Sequence, residues 1–156
     1  MSSSILSKIF LPGHWDTYAK AANAAGNSAN RSDWRIARDI FVGPTPKIAR
    51  ERARTVLGRN YDVHQQPSRK NTVQMELMKI DPDMKNEDID VDYLMEHVWI
   101  VGDPEECADK VRALYDDVGG FGTLLSITAD SDDASWDHES LTLLAEEVGP
   151  RIAHLG

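Results

Sequence analysis

Cysteine is nearly absent from this sequence, which holds only Cys107 among its 156 residues. A single cysteine cannot form an intramolecular disulfide, and a cysteine-based zinc site would need further thiol ligands that the sequence lacks. Both observations favour a protein of the reducing cytoplasm. Because Cys107 falls on the apolar face of a predicted helix, we expect it to be an unreactive core residue.

Long apolar runs and an excess of basic residues are also missing. No run approaches the ~20 apolar residues that cross a bilayer, and the first ten residues have neither the charge nor the apolar length of a signal peptide. The sequence has 17 Lys and Arg residues but 26 Asp and Glu residues, which gives a formal net charge of −9. Such a charge repels phosphate backbones and anionic membranes, so we expect neither nucleic acid nor membrane as a partner.

Motifs that hold metals or phosphates are lacking too. There is no P-loop, no Gly-x-Gly-x-x-Gly and no His-Glu-x-x-His. The histidines are scattered along the chain: His14, His64, His97, His138 and His154. We expect His97, next to a strand, to be partly buried and structural. The acidic residues between 130 and 137 lack the spacing of a calcium loop, so we interpret them as solvated caps and predict no metal site.

The sequence does contain enough apolar residues for one globular core, since they make up 41% of the chain. We expect residues 1–13 to be weakly structured and residues 14–156 to form one domain. Within it, His14 to Ala25 has helical spacing and ends at Gly26.

Three strand-and-helix units follow. In the first, Trp34–Val42 is a strand, and a helix begins after Thr45, which caps it, and ends at Gly58. In the second, 98–101 is a short strand, and its helix has Asp103 as N-cap, Pro104 at the first position and Glu106 completing a capping box.

The third unit is a strand over residues 123–128, whose unbroken apolar run predicts burial on both faces. A polar loop leads from it to a last helix with Leu141, Leu144 and Val148 on its inner side. Pro150 lacks a backbone donor, so this helix should end or kink near Gly149.

The polar stretch from Arg59 to Asp90 is harder to interpret. A short helix is predicted over 73–80, and Pro67 and Pro82 bracket a segment without clear periodicity. Two alternatives stay open, a cover over an active site and an ordinary surface insertion. A further helical turn or two is predicted at 92–97.

Strands that alternate with capped amphipathic helices predict an α/β protein with parallel strands. The order of the pieces resembles the C-terminal portion of bacterial luciferase-like flavin-dependent monooxygenases, over about residues 15 to 155. The resemblance is carried by five stretches: DWRIARDIFV (33–42), PKIAR (46–50), HVWIVGDPEECADK (97–110), GGFGTLL (119–125) and LLAEEV (143–148).

The resemblance implies a fold of the last βα units of a TIM (β/α)8 barrel. Such a barrel needs eight strands and typically ~250 residues, whereas three strands are predicted here. We therefore expect an incomplete barrel, from a truncated chain, a split gene product or a misassigned start. A free three-strand piece would expose sheet edges, which favours association with an N-terminal half or with further copies of the chain.

The resemblance also implies an activity. Family members bind reduced flavin mononucleotide (FMN) and use O2 to oxidise a small organic substrate, with a flavin reductase as a supplier of the reduced cofactor. Much of the FMN site would lie outside this chain. Two alternatives remain: a non-catalytic fragment or association partner with the same fold, and a deazaflavin-dependent oxidoreductase of the same superfamily.

Site residues are expected where the strands end, since that edge forms the mouth of a TIM barrel. Thr128 and Asp130 are our candidates for cofactor binding, and no catalytic residue is identified. Asp130 could instead be a helix cap or turn residue, and Asp103 is better explained as a cap. Trp136 either packs in the core or lines a pocket. The other residues at these strand ends are Gly43, Thr45, Gly102 and Ala129.

Overall fold

The computed structural model of the chain describes residues 1–61 and 72–155. Pro67 and His64 lie outside the described residues. The regular elements, in chain order, are α1 (Leu11–Ala24), β1 (Arg35–Val42), α2 (Pro46–Asn60), α3 (Thr72–Met78), α4 (Val91–His97), β2 (Ile100–Gly102), α5 (Pro104–Val118), β3 (Thr123–Ile127), α6 (Ala134–Leu143) and α7 (Gly149–Ile152). In these parts of the chain no helix is both long and apolar enough to cross a membrane.

The three strands form one parallel sheet in the order β2-β1-β3. The predicted α/β class with parallel strands is confirmed. Successive strands of a TIM barrel each pair with the next, so the central position of β1 differs from the order expected for three successive barrel strands. The two neighbours share its length: β3 pairs with residues 35–39, whereas β2 pairs only with residues 40–42.

The N-terminal residues lie against the free part of β1. Ser2 forms a parallel bridge with Ile36, donating from its N–H to the Arg35 carbonyl (2.9 Å) and accepting from the Ala37 N–H (3.0 Å). The Trp34 carbonyl, by contrast, accepts from residues 122 and 123. Because successive carbonyls of a strand point to opposite sides, Ser2 lies on the β2 side of β1.

Each face of the sheet carries its own core, because side chains alternate along β1. Ile36, Ile40 and Val42 pack against α1, α5 and the C-terminal helical segment. Phe41 on the other face packs with Val101 against α2, α3 and α4.

The expectation that β3 is buried on both faces is wrong for this chain. Its residues 123–126 are half-buried, and Ile127 is 40% exposed. The physical reason is position: β3 is an edge strand with one neighbour, while the central β1 is buried from Ile36 to Val42. An apolar run predicts a strand, but not how many neighbours cover it.

Helix caps follow the sequence closely. Thr45 Oγ1 accepts from the Ile48 N–H (3.3 Å), and Asp103 Oδ1 accepts from the Glu106 N–H (2.9 Å). Gly119, at φ 74°, ends α5 in the left-handed conformation that favours glycine. The second bond of the predicted capping box is not formed, because the Glu106 carboxylate instead accepts from Arg50 Nη2 (3.0 Å).

Two predicted helix ends differ from the structure. The second helix runs past Gly58 to Asn60; Gly58 lies within it, where Val91 Cγ1 would lie 3.3 Å from an added Cβ, so this glycine allows close packing and does not end the helix. Before Pro150 the last helix changes from α-helical to π-helical geometry over Leu144–Val148, and it then continues as α7. The predicted irregularity is confirmed, whereas the alternative of a complete end there is wrong.

Candidate functional site

A cavity of about 150 Å³ lies where β1 and β3 end. Thr128 and Asp130, the two residues proposed from the sequence, both line it, together with Phe41 and Leu57 on its apolar side. Its remaining lining residues are Ile40, Ala129, Asp137, Ser140 and Leu141. The structure thus brings the two candidates to one cavity, and their role in cofactor binding stays a prediction.

Two arginines of α2 hold the segment that follows β3: Arg59 contacts its loop and Arg52 contacts α6. Arg59 donates from Nη1 to Asp132 Oδ2 (2.6 Å) and from Nη2 to the Asp130 carbonyl (3.0 Å). This ion pair lowers the pKa of Asp132 and raises that of Arg59. About two helical turns away along α2, Arg52 pairs with Glu139 of α6 and lies over the ring of Trp136, also in α6, 5.0 Å from its centroid.

The loop is also fixed from within. Ser131 donates to Asp137 Oδ2 from its N–H (3.1 Å) and its hydroxyl (2.8 Å). Asp133 caps α6 by accepting from the Ser135 N–H (3.0 Å) and hydroxyl (2.6 Å), and these bonds lower the pKa of Asp133. The cap of this helix is therefore Asp133, so the alternative that Asp130 is a cap is wrong. The carboxylate of Asp130 is left exposed at the cavity.

Ser140 joins α6 to the end of the central strand. Its buried Oγ accepts from the Val42 N–H (2.9 Å), a donor that β3 does not reach because its pairing stops at Asp39. This bond sets the distance between α6 and the strand ends, and so fixes the width of the cavity.

Asp39 places a buried carboxyl in the middle of β1. It is 7% exposed, burial raises its pKa, and its Oδ2 has no hydrogen-bond partner among the described residues. Its register partner on β3 is Ile127, which is one residue before Thr128. Because alternate residues of a strand share a face, Asp39 lies on the same face of β1 as Phe41, which lines the cavity.

The other strand-end residues have structural roles. The side chains of Thr45 and Asp103 cap α2 and α5, as described above. A Cβ at Gly43 would lie 2.7 Å from the Ala49 Cα, and one at Gly102 would lie 2.6 Å from Glu106 Oε2, so both glycines allow close packing. Trp136 packs at the edge of the second core beneath Arg52.

The remaining sequence candidates are accounted for as follows. Cys107 is buried in the first core, which confirms its structural role. The expectation that His97 is partly buried is wrong: it is exposed, and its ring packs on Tyr93 with 4.8 Å between centroids. Within residues 1–61 and 72–155, no group of three or more His, Cys, Asp or Glu is arranged to hold a metal ion.

Sequence reasoning missed Arg52, Arg59, Ser140 and Asp39. A signal existed for the two arginines, since residues seven apart lie on one face of a helix, and that face of α2 is basic. A signal existed also for Asp39, an acidic residue inside an apolar strand. No such signal existed for Ser140. Its partner is the backbone N–H of Val42, which needs a side-chain acceptor because the pairing of β3 with β1 stops at Asp39.

In chemical terms, the cavity has one apolar wall, a threonine hydroxyl that can donate or accept, and an exposed carboxylate. Such a lining suits a ligand with a flat apolar body and polar edges. No lysine or arginine lines this cavity, so the described residues offer no cation to a phosphate there.

Comparison with known proteins gives a consistent result. Residues 14–120, more than half of the chain, match the family model of luciferase-like monooxygenases. The chain is 33% identical to 2,5-diketocamphane 1,2-monooxygenase 1 of Pseudomonas putida over 143 residues, covering 89% of this chain and 39% of that protein. It is 30% identical to 3,6-diketocamphane 1,6-monooxygenase of the same organism, covering 91% of this chain and 38% of that protein.

A solved structure agrees with these relatives. The oxygenating constituent of 3,6-diketocamphane monooxygenase from P. putida, a type II Baeyer-Villiger monooxygenase in complex with FMN, superposes with a TM-score of 0.84 at 28% identity, over 93% of this chain and 40% of that one. The monooxygenase RslO1 of Streptomyces bottropensis shares the fold, with a TM-score of 0.62 at 15% identity, over 96% of this chain and 40% of that one. The chain thus spans about two fifths of the length of the relatives it matches.

Proposed function

The chain belongs to the luciferase-like monooxygenase family, and on that premise we propose that it forms the C-terminal part of an FMN-dependent monooxygenase. The complete enzyme oxidises a small organic substrate with O2 and reduced flavin, which a flavin reductase supplies. The observation that carries the proposal is the likeness to an FMN complex of a monooxygenase over 93% of the chain.

The position of the cavity supports the same proposal. In TIM-barrel enzymes the active site lies at the carboxyl ends of the strands, and the cavity lined by Thr128 and Asp130 lies at that end of β1 and β3. In the complete enzyme, β1 and β3 are neighbouring barrel strands and β2 is a short strand attached beyond them. The rest of the barrel then pairs with β1 on the side where Ser2 lies, and with the free edge of β3.

The described residues fit one part of a flavin. Pockets that enclose whole ligands have roughly 300–1,000 Å³, whereas this cavity has about 150 Å³. Thr128 and Asp130 would hold polar edges of the bound group, and Phe41 and Leu57 would pack on its apolar surface. The phosphate needs donors from the rest of the enzyme, since no Lys or Arg lines the cavity.

Each part has a distinct role. When bound, reduced flavin supplies the electrons for oxidation by O2. Arg59 keeps the loop after β3 in place and Arg52 holds α6 beside it, so that the Thr128 hydroxyl and the Asp130 carboxylate meet the ligand at fixed positions. Ser140 keeps α6 against the strand ends and thereby limits the entry of water into the cavity.

A chimaera tests this proposal. The part of 3,6-diketocamphane 1,6-monooxygenase that aligns with this chain is replaced by the chain itself, and FMN binding is measured by quenching of flavin fluorescence. We expect the chimaera to bind FMN and to oxidise a ketone with consumption of O2. In this background Asp130→Ala should weaken FMN binding about tenfold, whereas Asp116→Ala, an exposed residue of α5, should leave it unchanged.

The contradicting result is a chimaera with native circular dichroism and a single size-exclusion peak that binds no FMN. Binding of a deazaflavin in place of FMN, measured in the same titration, would favour the deazaflavin-dependent group instead. The chain alone, which holds only part of the site, should bind FMN far more weakly than the chimaera.

A second candidate function is a non-catalytic association partner with the same fold. The observation that favours it is the exposed apolar surface at the end of β3, where Ile127 is 40% and Leu141 48% exposed. It predicts that the chain forms a stable oligomer and that the chimaera binds no flavin, so the same titration separates the two candidates.

A further inference from the structure

A second cleft, of about 410 Å³, lies beside α5 and shares no lining residue with the cavity at the strand ends. It is bounded by α5, by the residues that lead into β2 and by the segment before α1. Its lining combines charged groups with an apolar wall: Lys8, Arg38, Glu96, His97, Lys110 and Asp117 with Ile9, Val98, Trp99 and Leu114.

Arg38 is the unusual residue of this cleft. It is 3% exposed and comes from the middle of β1. Both of its hydrogen bonds start from Nη1 and end on backbone carbonyls, those of Ser3 (3.3 Å) and Ala37 (3.0 Å). Within residues 1–61 and 72–155 it forms no ion pair, and no hydrogen bond starts from its Nε or Nη2.

The charges nearby do not neutralise this guanidinium. Lys8 pairs with Asp117 (2.5 Å), so these two groups satisfy each other. Lys110 donates to the carbonyls of Met95 (2.8 Å) and Val101 (3.1 Å). Asp39, the next residue, attracts the guanidinium and raises its pKa, but this attraction is weaker than the effect of burial, and neighbouring side chains of a strand point to opposite faces.

A buried charge without an ion-paired partner is costly: burial lowers the pKa of Arg38 to about 10, and the attraction of Asp39 offsets this only in part. Arginine presents a planar fork of donors that matches the two oxygens of a carboxylate. A dianionic phosphate suits the cleft less well, because Glu96 and Asp117 also line it.

We propose that this cleft binds the carboxylate of a small organic acid, with Arg38 as the anion-binding residue. The apolar body of the acid packs against Trp99, Leu114 and Ile9. The site is separate from the one proposed for the flavin and does not depend on it.

The test compares two ligands of the same shape on the full chain. Isothermal titration calorimetry is carried out with hexanoate and with its neutral analogue hexanamide. We expect saturable binding of hexanoate and at least about tenfold weaker binding of hexanamide, because only the carboxylate forms charged hydrogen bonds with Arg38. Arg38→Met should abolish the preference, whereas Arg35→Met, an exposed arginine of the same strand, should preserve it.

Thermal unfolding gives a second readout. If the buried charge lacks a counter-ion, hexanoate should raise the Tm of the wild-type chain but not that of Arg38→Met. Should Arg38→Met fail to fold, Ala113→Tyr places a ring at the cleft from an exposed helix position and should block hexanoate binding, while Ala113→Ser should not. Equal affinities for hexanoate and hexanamide, or undiminished hexanoate binding by Ala113→Tyr, would overturn the proposal.

Discussion

At the scale of single residues, Cys107 shows how far burial changes the ionisation of a side chain. The thiol is 0% exposed on the inner face of α5. Burial raises its pKa from 9.0 to about 12, with Asp103 and Glu106 adding to the effect and Lys110 opposing it. Because only the thiolate is nucleophilic, the folded protein holds this cysteine in its unreactive form at neutral pH.

This shift predicts a pH dependence of stability. The unfolded thiol ionises near pH 9, while the folded thiol stays protonated to about pH 12. Stability is therefore unaffected by this group below pH 9 and falls as the pH rises from 9 toward 12. We expect the wild-type chain to lose about 1 kcal/mol more than Cys107→Ala between pH 8 and pH 10, measured by urea unfolding. Parallel curves for the two proteins would contradict the assigned cause.

At the scale of elements, the turn into β3 depends on the absence of a side chain. A Cβ at Gly122 would lie 1.7 Å from the Ser32 carbonyl oxygen, so the backbones of the two turns meet there. The same turn pairs β3 with β1, since the Gly122 N–H donates to the Trp34 carbonyl (3.0 Å). The glycines at 119 and 120, by contrast, are needed for their positive φ.

Gly122→Ala should therefore destabilise the fold by about 3 kcal/mol or more, because backbone must move to make room. Its matched control is Gly13→Ala within α1, where an added Cβ meets nothing within 4 Å and alanine should stabilise the helix by up to about 0.5 kcal/mol. Urea unfolding of both variants measures the difference. A Gly122→Ala chain as stable as the wild type would show that the two turns do not pack this closely.

Local chemistry explains which of these elements could be predicted from the sequence. Caps such as Thr45 and Asp103 act within three residues, so their effect is visible in the sequence itself. The neighbours of β3, the continuation of α2 through Gly58 and the turn of Glu106 toward Arg50 all depend on residues far away in the chain. For the same reason Thr128 and Asp130 could be placed at one cavity from their positions after a strand, whereas the partners of Arg59 and Arg52, which lie more than 70 residues further along the chain, could not be read from the basic face of α2.

At the scale of the whole molecule, the apolar surface at the end of β3 is the main exposed patch around the candidate site. Ile127 lies at the end of β3, next in sequence to the cavity residue Thr128, and Leu141 lies on the cavity wall. Edge strands with exposed apolar side chains favour association.

We therefore expect the isolated chain to self-associate in a concentration-dependent way. The double variant Ile127→Glu and Leu141→Glu should shift it toward the monomer in sedimentation velocity, because charge repels a second copy at this surface. Its free energy of unfolding should change by about 1 kcal/mol or less, since both positions are exposed. The chain would contradict this expectation if it were monomeric at all concentrations, or if the variant associated as strongly.

The central position of β1 also has a consequence for the time course of synthesis. One strand near the beginning of the chain pairs with two that come much later, at residues 100–102 and 123–127. Pairings between distant residues form slowly, because a long loop must close first. A ribosome must thus make β2 and β3 before these three strands can pair, and until then β1 lacks the two strands that flank it. The last-made strand completes the sheet, so the interval before its release is when the growing chain is most exposed to aggregation.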